Sequence, residues 1–120
     1  MTEDRLTLGR QGEDAAAAYL QRKGMKVLAR NLRTPVGEID LVMRDKRIIA
    51  FVEVKTRRGT AFGSPAEAVG PRKQRQIAQA AKWYLNDNPA DKLQPRFDVV
   101  AIIVSGDKLQ IEHIPAAFEL

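Results

Sequence analysis

The chain has 120 residues, of which 44% are hydrophobic and 29% charged, and its formal net charge is +5. This composition excludes a disordered chain and fits one compact domain over residues 1–120. The absence of cysteine excludes disulfides, thiolate nucleophiles and cysteine-ligated zinc. The apolar runs are too short to cross a bilayer, and the acidic N-terminus lacks the apolar core of a secretion signal. We therefore expect a cytoplasmic protein without membrane contact.

Helical and strand patterns alternate along the chain. The alanine-rich stretch predicts a helix over residues 9–23 that ends at Gly24. Pro71 opens a second predicted helix, through about residue 86, whose apolar residues recur at helical spacing. A loop precedes it, with a capping signature in Ser64–Glu67. The tail, residues 115–120, predicts a further helical turn.

Five stretches have the composition and turn signals of strands: residues 25–33, 37–44, 47–57, 96–104 and 108–114. Residues 44–47 predict a hairpin turn between the second and third of them. The predicted order is α-β-β-β-α-β-β, which indicates an α/β fold with a mixed central sheet and helices on its faces.

Charged residues interrupt the second and third predicted strands. Because strand side chains alternate between faces, Glu38 and Asp40 lie on the same face of their strand. Glu53 and Lys55 likewise lie on the same face of theirs. If the two strands are neighbours, Asp40 comes level with Glu53 and Lys55. Buried carboxylates repel each other unless a positive charge compensates, and oxygen ligands favour Mg²⁺ or Mn²⁺ over zinc. The alternative is a solvated face with an ordinary charge pair at a sheet edge.

Two sequence motifs carry a family resemblance. "GEID" at residues 37–40, followed one hairpin later by "VEVKTR", resembles the metal site of the PD-(D/E)XK, or restriction-endonuclease-like, nuclease superfamily. Nearly the whole chain, from "GRQGEDAAAAYL" through "RNLR", "FVEVKTRRG" and "RFDVVAI", resembles the bacterial YraN family. That family is grouped with the same fold and with archaeal Holliday junction resolvases.

The resemblance implies roles for individual residues. Asp40 matches the metal-binding aspartate, Glu53 the second acid and Lys55 the lysine, while Val54 offers a backbone carbonyl to the metal. Glu13 matches an extra acid on the first helix, although an acid near a helix N-terminus is also favoured by the helix dipole. Ile39 stands where the superfamily motif has proline, which the YraN pattern tolerates.

Other polar residues have two open interpretations each. Glu38 is an auxiliary ligand or a solvated residue at a strand start, and Gln74 approaches the site or lies on a solvated helix face. Basic residues flank the motifs and are candidates for binding a nucleic-acid backbone or are ordinary surface: Arg57, Arg58, Arg72, Lys73 and Arg75. Asp98 interrupts a buried strand and predicts an ion pair with Arg96 or a lysine. His113, the one histidine, is interpreted as structural.

The sequence thus predicts a Mg²⁺- or Mn²⁺-dependent nuclease that hydrolyses nucleic-acid phosphodiesters, with DNA as the expected partner. The resolvase resemblance implies a homodimer. Two alternatives remain: a nucleic-acid-binding or accessory module in DNA processing that keeps the fold without catalysis, and an interaction protein with solvated charges. The basic balance of the chain permits polyanion binding without proving it.

Overall fold

The computed structural model describes residues 2–58, 69–89 and 92–119, apart from the side chains of residues 2–7. Its helices and strands are α1 Thr2–Arg22, β1 Lys26–Thr34, β2 Gly37–Asp45, β3 Ile48–Arg58, α2 Pro71–Asp87, β4 Gln94–Ser105 and β5 Lys108–Phe118. The predicted element order and the α/β class are confirmed. The predicted capping signature at Ser64–Glu67 lies outside the described residues. No helix in the described ranges is both long and apolar enough to span a membrane.

The five strands form one sheet in the order β1-β2-β3-β4-β5. The strands β1, β2 and β3 are antiparallel neighbours, β4 runs parallel to β3, and β5 is antiparallel to β4. A parallel neighbour requires a crossover connection, and α2 lies in the segment that supplies it. The prediction of a mixed sheet is therefore confirmed.

Each helix covers one face of the sheet. On the face of α1, Ala16 and Leu20 pack against the buried strand residue Met43 and its neighbours. On the face of α2, Ile77 packs with Phe51 and its neighbours. Both clusters are apolar and fully enclosed, so the sheet is buried on both sides along its middle.

Two predicted boundaries were wrong. The helix α1 begins at Thr2, seven residues before the predicted start at Gly9, and acids at residues 3 and 4 suit a helix N-terminus. The tail continues β5 to Phe118 instead of forming a helical turn. Phe118 pairs with Phe97 of β4, and their rings stack at 5.3 Å between centroids. Pro115 is tolerated there because β5 is an edge strand.

Two glycines determine how α1 ends and how closely it packs on the sheet. Gly24 has a φ of 95°, and its N–H donates to the Gln21 carbonyl while the Met25 N–H donates to that of Leu20. This is the glycine-terminated helix end that the sequence predicts. In the middle of α1, a Cβ on Gly12 would lie 3.0 Å from Thr56 Cβ and overlap its hydroxyl. The absent side chain lets α1 approach the end of β3 closely.

A buried ionic network joins β4, β5 and the end of α1. The Asp98 carboxylate, 0% exposed, accepts hydrogen bonds from Arg96 Nε and Nη2, both at 2.8 Å, and from the Ala116 N–H at 3.1 Å. His113 Nε2 lies 2.8 Å from the same carboxylate, and Lys23 Nζ lies 2.9 Å from His113 Nδ1. An ammonium only donates, so Nδ1 accepts and Nε2 donates. The predicted Arg96 pair is confirmed, and His113 has two partners that the sequence did not indicate.

Candidate metal and nucleic-acid site

Asp40 lies where β2 separates from β3. The ladder between these strands ends at the pair Leu41–Val52. Beyond this pair, the Asp40 side chain makes a hydrogen bond to the backbone of β3. Its Oδ2 accepts a hydrogen bond from the Val54 N–H at 2.8 Å. This bond holds the carboxylate beside Glu53, so the predicted proximity of Asp40 and Glu53 is confirmed.

The side chains of β1 and β2 change face at this level of the sheet. In β2, Ile39 packs on the face of α2 whereas Leu41 packs on the face of α1, although strict alternation would put both on one face. In β1, the register places Asn31 opposite Asp40, and Asn31 has a φ of 49°. Asparagine is one of the few residues other than glycine that adopts this left-handed region readily. The irregular backbone therefore brings both side chains to one end of the sheet.

Glu53 is a buried carboxylate with an incomplete set of partners. It lies in β3 and is 6% exposed. Its Oε2 accepts no hydrogen bond from any described residue, although Lys73 Nζ of α2 approaches to 3.5 Å. That distance allows charge attraction but is too long for a strong hydrogen bond. A buried carboxylate oxygen left in this state is costly unless another positive group or a proton satisfies it.

The environment of Glu53 favours its protonated form. Burial is the largest cause, followed by the hydrogen bond and the charge of Asp40, and together they raise the pKa of Glu53 to about 8. The charges of Lys73 and Lys55 act in the opposite direction and are weaker. Strongly shifted carboxyl pKa values are typical of sites that bind cations or transfer protons, although structural ion pairs also produce them.

Glu13 of α1 faces the same end of the sheet. Burial raises the pKa of its carboxyl, and the negative charge of Asp40 raises it further, while Arg30 and a hydrogen bond from Asn31 act to lower it. The effect of the Asp40 charge on Glu13 indicates that the two carboxylates lie near each other. The structure thus brings Glu13 towards the strand acids.

An open cleft of about 800 Å³ lies beside Asp40 and Glu13, and the buried Glu53 is not among its described lining residues. Four of the predicted site residues line it, namely Glu13, Asp40, Val54 and Lys55. Four further polar residues line it that the sequence did not indicate: Arg10, Asn31, Arg33 and Thr56. Asparagine is depleted in strands, so Asn31 in the middle of a predicted strand was a usable signal. Nothing in the local pattern indicates that Arg10 and Arg33 line the same cleft.

Three other predicted residues lie around this group. Lys73 Nζ lies 3.5 Å from Glu53 Oε2. Gln74 donates its side-chain amide to the Val69 carbonyl at 2.8 Å and so braces the start of α2. Glu38 is exposed, and its carboxylate lies 3.7 Å from Arg33 Nε. The structure therefore brings Lys73 to the acids, whereas Gln74 and Glu38 each have another partner.

The remaining basic candidates form two exposed pairs. Arg57 and Arg58 end β3, and Arg72 and Arg75 lie in the first turns of α2. None is among the described residues that line the cleft. Their proposed contact with a nucleic-acid backbone stays a prediction.

The donor set suits a hard divalent cation held by few protein ligands. Within residues 2–58, 69–89 and 92–119, no three acidic or histidine side chains converge closely enough to form a complete metal cage. Asp40 and Glu53 nevertheless supply two neighbouring carboxylates, one of which has a buried oxygen without a hydrogen bond in this part of the chain. Mg²⁺ commonly binds through one or two carboxylates and keeps several waters. The residues present fit such an ion.

These features define a mixed α/β protein in which the buried Glu53 and the half-buried Asp40 form a carboxylate pair at the edge of a cleft that also contains Arg10, Arg33 and Lys55. Residues 12–102 match the family model described as uncharacterised protein family UPF0102, and the chain belongs to this family. The YraN-type resemblance is thereby confirmed.

Several similar proteins match over most of their length. The UPF0102 protein of Syntrophotalea carbinolica is 61% identical over 120 residues, which cover 100% of this chain and 98% of the relative. The UPF0102 protein of Geobacter sulfurreducens is 51% identical over 114 residues, covering 94% and 89%. That of Desulfosudis oleivorans is 47% identical over 119 residues, covering 99% and 95%.

Proposed function

We propose that this protein is a metal-dependent nuclease with a restriction-endonuclease-like fold, acting on DNA. The observation that carries the proposal is the buried Glu53 carboxylate, which has an unsatisfied oxygen among the described residues and lies beside Asp40. Two acids in contact at the end of a buried strand cost stability, because the charge of Asp40 opposes ionisation of the buried Glu53. A cation that binds both removes this cost.

Asp40 and Glu53 would hold the ion, joined by the Val54 backbone carbonyl and by Glu13. A bound Mg²⁺ or Mn²⁺ supplies a Lewis acid that polarises a phosphoryl oxygen and acidifies a water. The Val54 N–H keeps Asp40 in place through the 2.8 Å hydrogen bond. Lys73 would offset part of the negative charge that Glu53 carries when it is ionised.

Lys55 is the group that acts on the reactants. Hydrolysis adds one water across a P–O bond of the backbone and leaves a phosphomonoester end and a hydroxyl end. Lys55 is half-buried and lines the cleft beside Asp40. Its ammonium orients the attacking water or stabilises the charge that develops on the phosphate oxygens.

Basic residues of the cleft would bind the strand on either side of the reacting phosphate. Arg10 and Arg33 line the cleft together with Lys55, and a guanidinium group can bind phosphate through two parallel hydrogen bonds. The exposed arginines of β3 and α2 extend the positive surface. Such contacts fix the position of a strand and carry no base preference. The homodimer implied by the resolvase resemblance stays a prediction.

The proposal is tested with end-labelled DNA substrates, comprising single strands, nicked duplex and four-way junctions. We expect cleavage that requires Mg²⁺ or Mn²⁺, stops with a chelator, and falls at least about 100-fold in Lys55→Ala. Lys108→Ala is the matched control, since Lys108 is exposed at the start of β5. Equal cleavage by the native protein and Lys55→Ala would show a contaminating nuclease and count against the proposal.

A second candidate is a nucleic-acid-binding module without hydrolysis. It is favoured by one observation, that no three acidic side chains converge in the described part of the chain. Salt-sensitive DNA binding that needs no metal, with every substrate left intact, would support this candidate. The same assay therefore separates the two functions.

A further inference from the structure

Asn31 has a backbone conformation that its strand alone does not require. It lies within β1, where extended dihedrals are the rule, yet its φ is 49°. A residue other than glycine in this region costs on the order of 1 kcal/mol. Such local strain persists only where the surrounding structure imposes it, and it is concentrated at functional sites.

The effect of this conformation is to turn Asn31 towards α1. The preceding residue, Arg30, already faces that helix, because it pairs with Asp14. In a regular strand Asn31 would face the opposite side. Instead two successive side chains of β1 contact two successive acids of α1, Asp14 and Glu13.

The Asn31 amide binds both oxygens of the Glu13 carboxylate. With the amide orientation assigned from its hydrogen-bonding partners, Nδ2 lies 2.6 Å from Oε1 and 3.1 Å from Oε2. Asn31 also lies opposite Asp40 in the register and lines the same cleft. The amide thus stands between the helix that carries Glu13 and the strand that carries Asp40.

We propose that Asn31 is a positioning residue, whose amide holds the Glu13 carboxylate in the cleft towards Asp40 and so adds Glu13 to the cation site. This inference rests on the proposed function. Glu13 is the one predicted ligand that comes from a helix and not from the paired strands β2 and β3. Its position therefore depends on the packing of α1 at Gly12 and on the contact with Asn31. Groups that orient metal ligands in this way typically change metal affinity by about 10- to 100-fold when removed.

The substitution Asn31→Gly removes the side-chain amide but leaves the backbone conformation possible, because glycine accepts the left-handed φ without strain. By calorimetry with Mn²⁺ alone, we expect the Kd of this variant to rise at least about tenfold over that of the native protein. The matched control is Asn88→Gly, since Asn88 also donates its side-chain amide, at 3.1 Å to the Tyr84 carbonyl, but at the end of α2. We expect the control to bind Mn²⁺ as the native protein does.

A double-mutant cycle distinguishes positioning from general loosening of the fold. If Asn31 acts through Glu13, adding Asn31→Gly to Glu13→Gln changes the Kd for Mn²⁺ by less than about twofold, because the carboxylate it would position is already gone. A full tenfold loss in both backgrounds would overturn the inference, as would unchanged Mn²⁺ binding by Asn31→Gly. Absence of Mn²⁺ binding by the native protein, with or without DNA, would instead overturn the proposed function itself and this inference with it.

Discussion

Replacing Asp98 with asparagine is expected to lower the free energy of unfolding by about 3 kcal/mol at pH 7. The side chain is fully buried and accepts hydrogen bonds from Arg96, His113 and the Ala116 N–H. Asparagine keeps the shape but removes the charge that compensates the largely buried Arg96 guanidinium. Urea denaturation of both proteins measures the difference.

The pH dependence of that difference identifies its electrostatic origin. Burial acts to raise the pKa of Asp98, but the hydrogen bonds from His113, Arg96 and Ala116 outweigh it and hold the pKa below the ordinary value of 3.8. The stabilisation is therefore complete well above pH 3.8 and is lost as the pH falls through the folded-state pKa. We expect the difference in free energy of unfolding between the native protein and Asp98→Asn to become smaller below pH 4.

The exposed Asp87 at the end of α2 provides the matched control. Asp87→Asn should change the free energy of unfolding by less than about 0.5 kcal/mol. A similarly small effect for Asp98→Asn at pH 7 would contradict the account of the buried network.

Replacing Glu53 with glutamine is expected to stabilise the metal-free protein at alkaline pH. The pKa of Glu53 is about 8 in the folded protein, because of burial and the neighbouring Asp40, against 4.5 ordinarily. A raised carboxyl pKa means that the unfolded chain releases its proton first. The native protein therefore loses stability as the pH rises from about 4.5 to 8, and the loss is complete above 8.

Glutamine does not ionise, so the variant avoids this loss. At pH 9 and in the presence of a chelator, we expect the free energy of unfolding of Glu53→Gln to exceed that of the native protein by on the order of 2 kcal/mol. At pH 5 we expect a much smaller difference. Thermal unfolding at the two pH values measures the gap. Glu112→Gln is the control, because Glu112 is an exposed glutamate of β5. A Glu53→Gln variant that is less stable than the native protein at pH 9 would contradict the description of Glu53 as a strained buried acid.

The elements could be predicted because their signals are local. Alanine-rich composition and Gly24 indicate α1, Pro71 opens α2, and charged turns divide the strands. The start of α1 and the end of β5 were wrong for different reasons. The first turns of α1 lack a strong apolar pattern, whereas the β5 tail is a strand because Phe118 pairs with Phe97 across the sheet, a contact distant in sequence.

The acids of the site could be predicted from their position in strands, but their surroundings could not. Alternation and the hairpin bring Asp40 level with Glu53, and the structure confirms that neighbourhood. Regular alternation also fails at this point. The side chains of β1 change face at the left-handed Asn31, and those of β2 change face where β2 separates from β3. The His113–Asp98 contact and the presence of Arg10 and Arg33 in one cleft likewise depend on tertiary packing. Periodicity describes regular strands and cannot locate the irregular residue that shapes a site.

Mn²⁺ binding by calorimetry, with and without short DNA, tests the central claim most directly. We expect the native protein to bind Mn²⁺, Asp40→Asn and Glu53→Gln each to abolish binding, and Asp87→Asn and Glu112→Gln to leave it unchanged. We expect the same variant, Glu53→Gln, to lose Mn²⁺ binding and to gain stability without metal, because both effects come from removing the unsatisfied Glu53 carboxylate. Binding of Mn²⁺ that is equal in the native protein and both acid variants, or absent from all of them even with DNA, would contradict the claim.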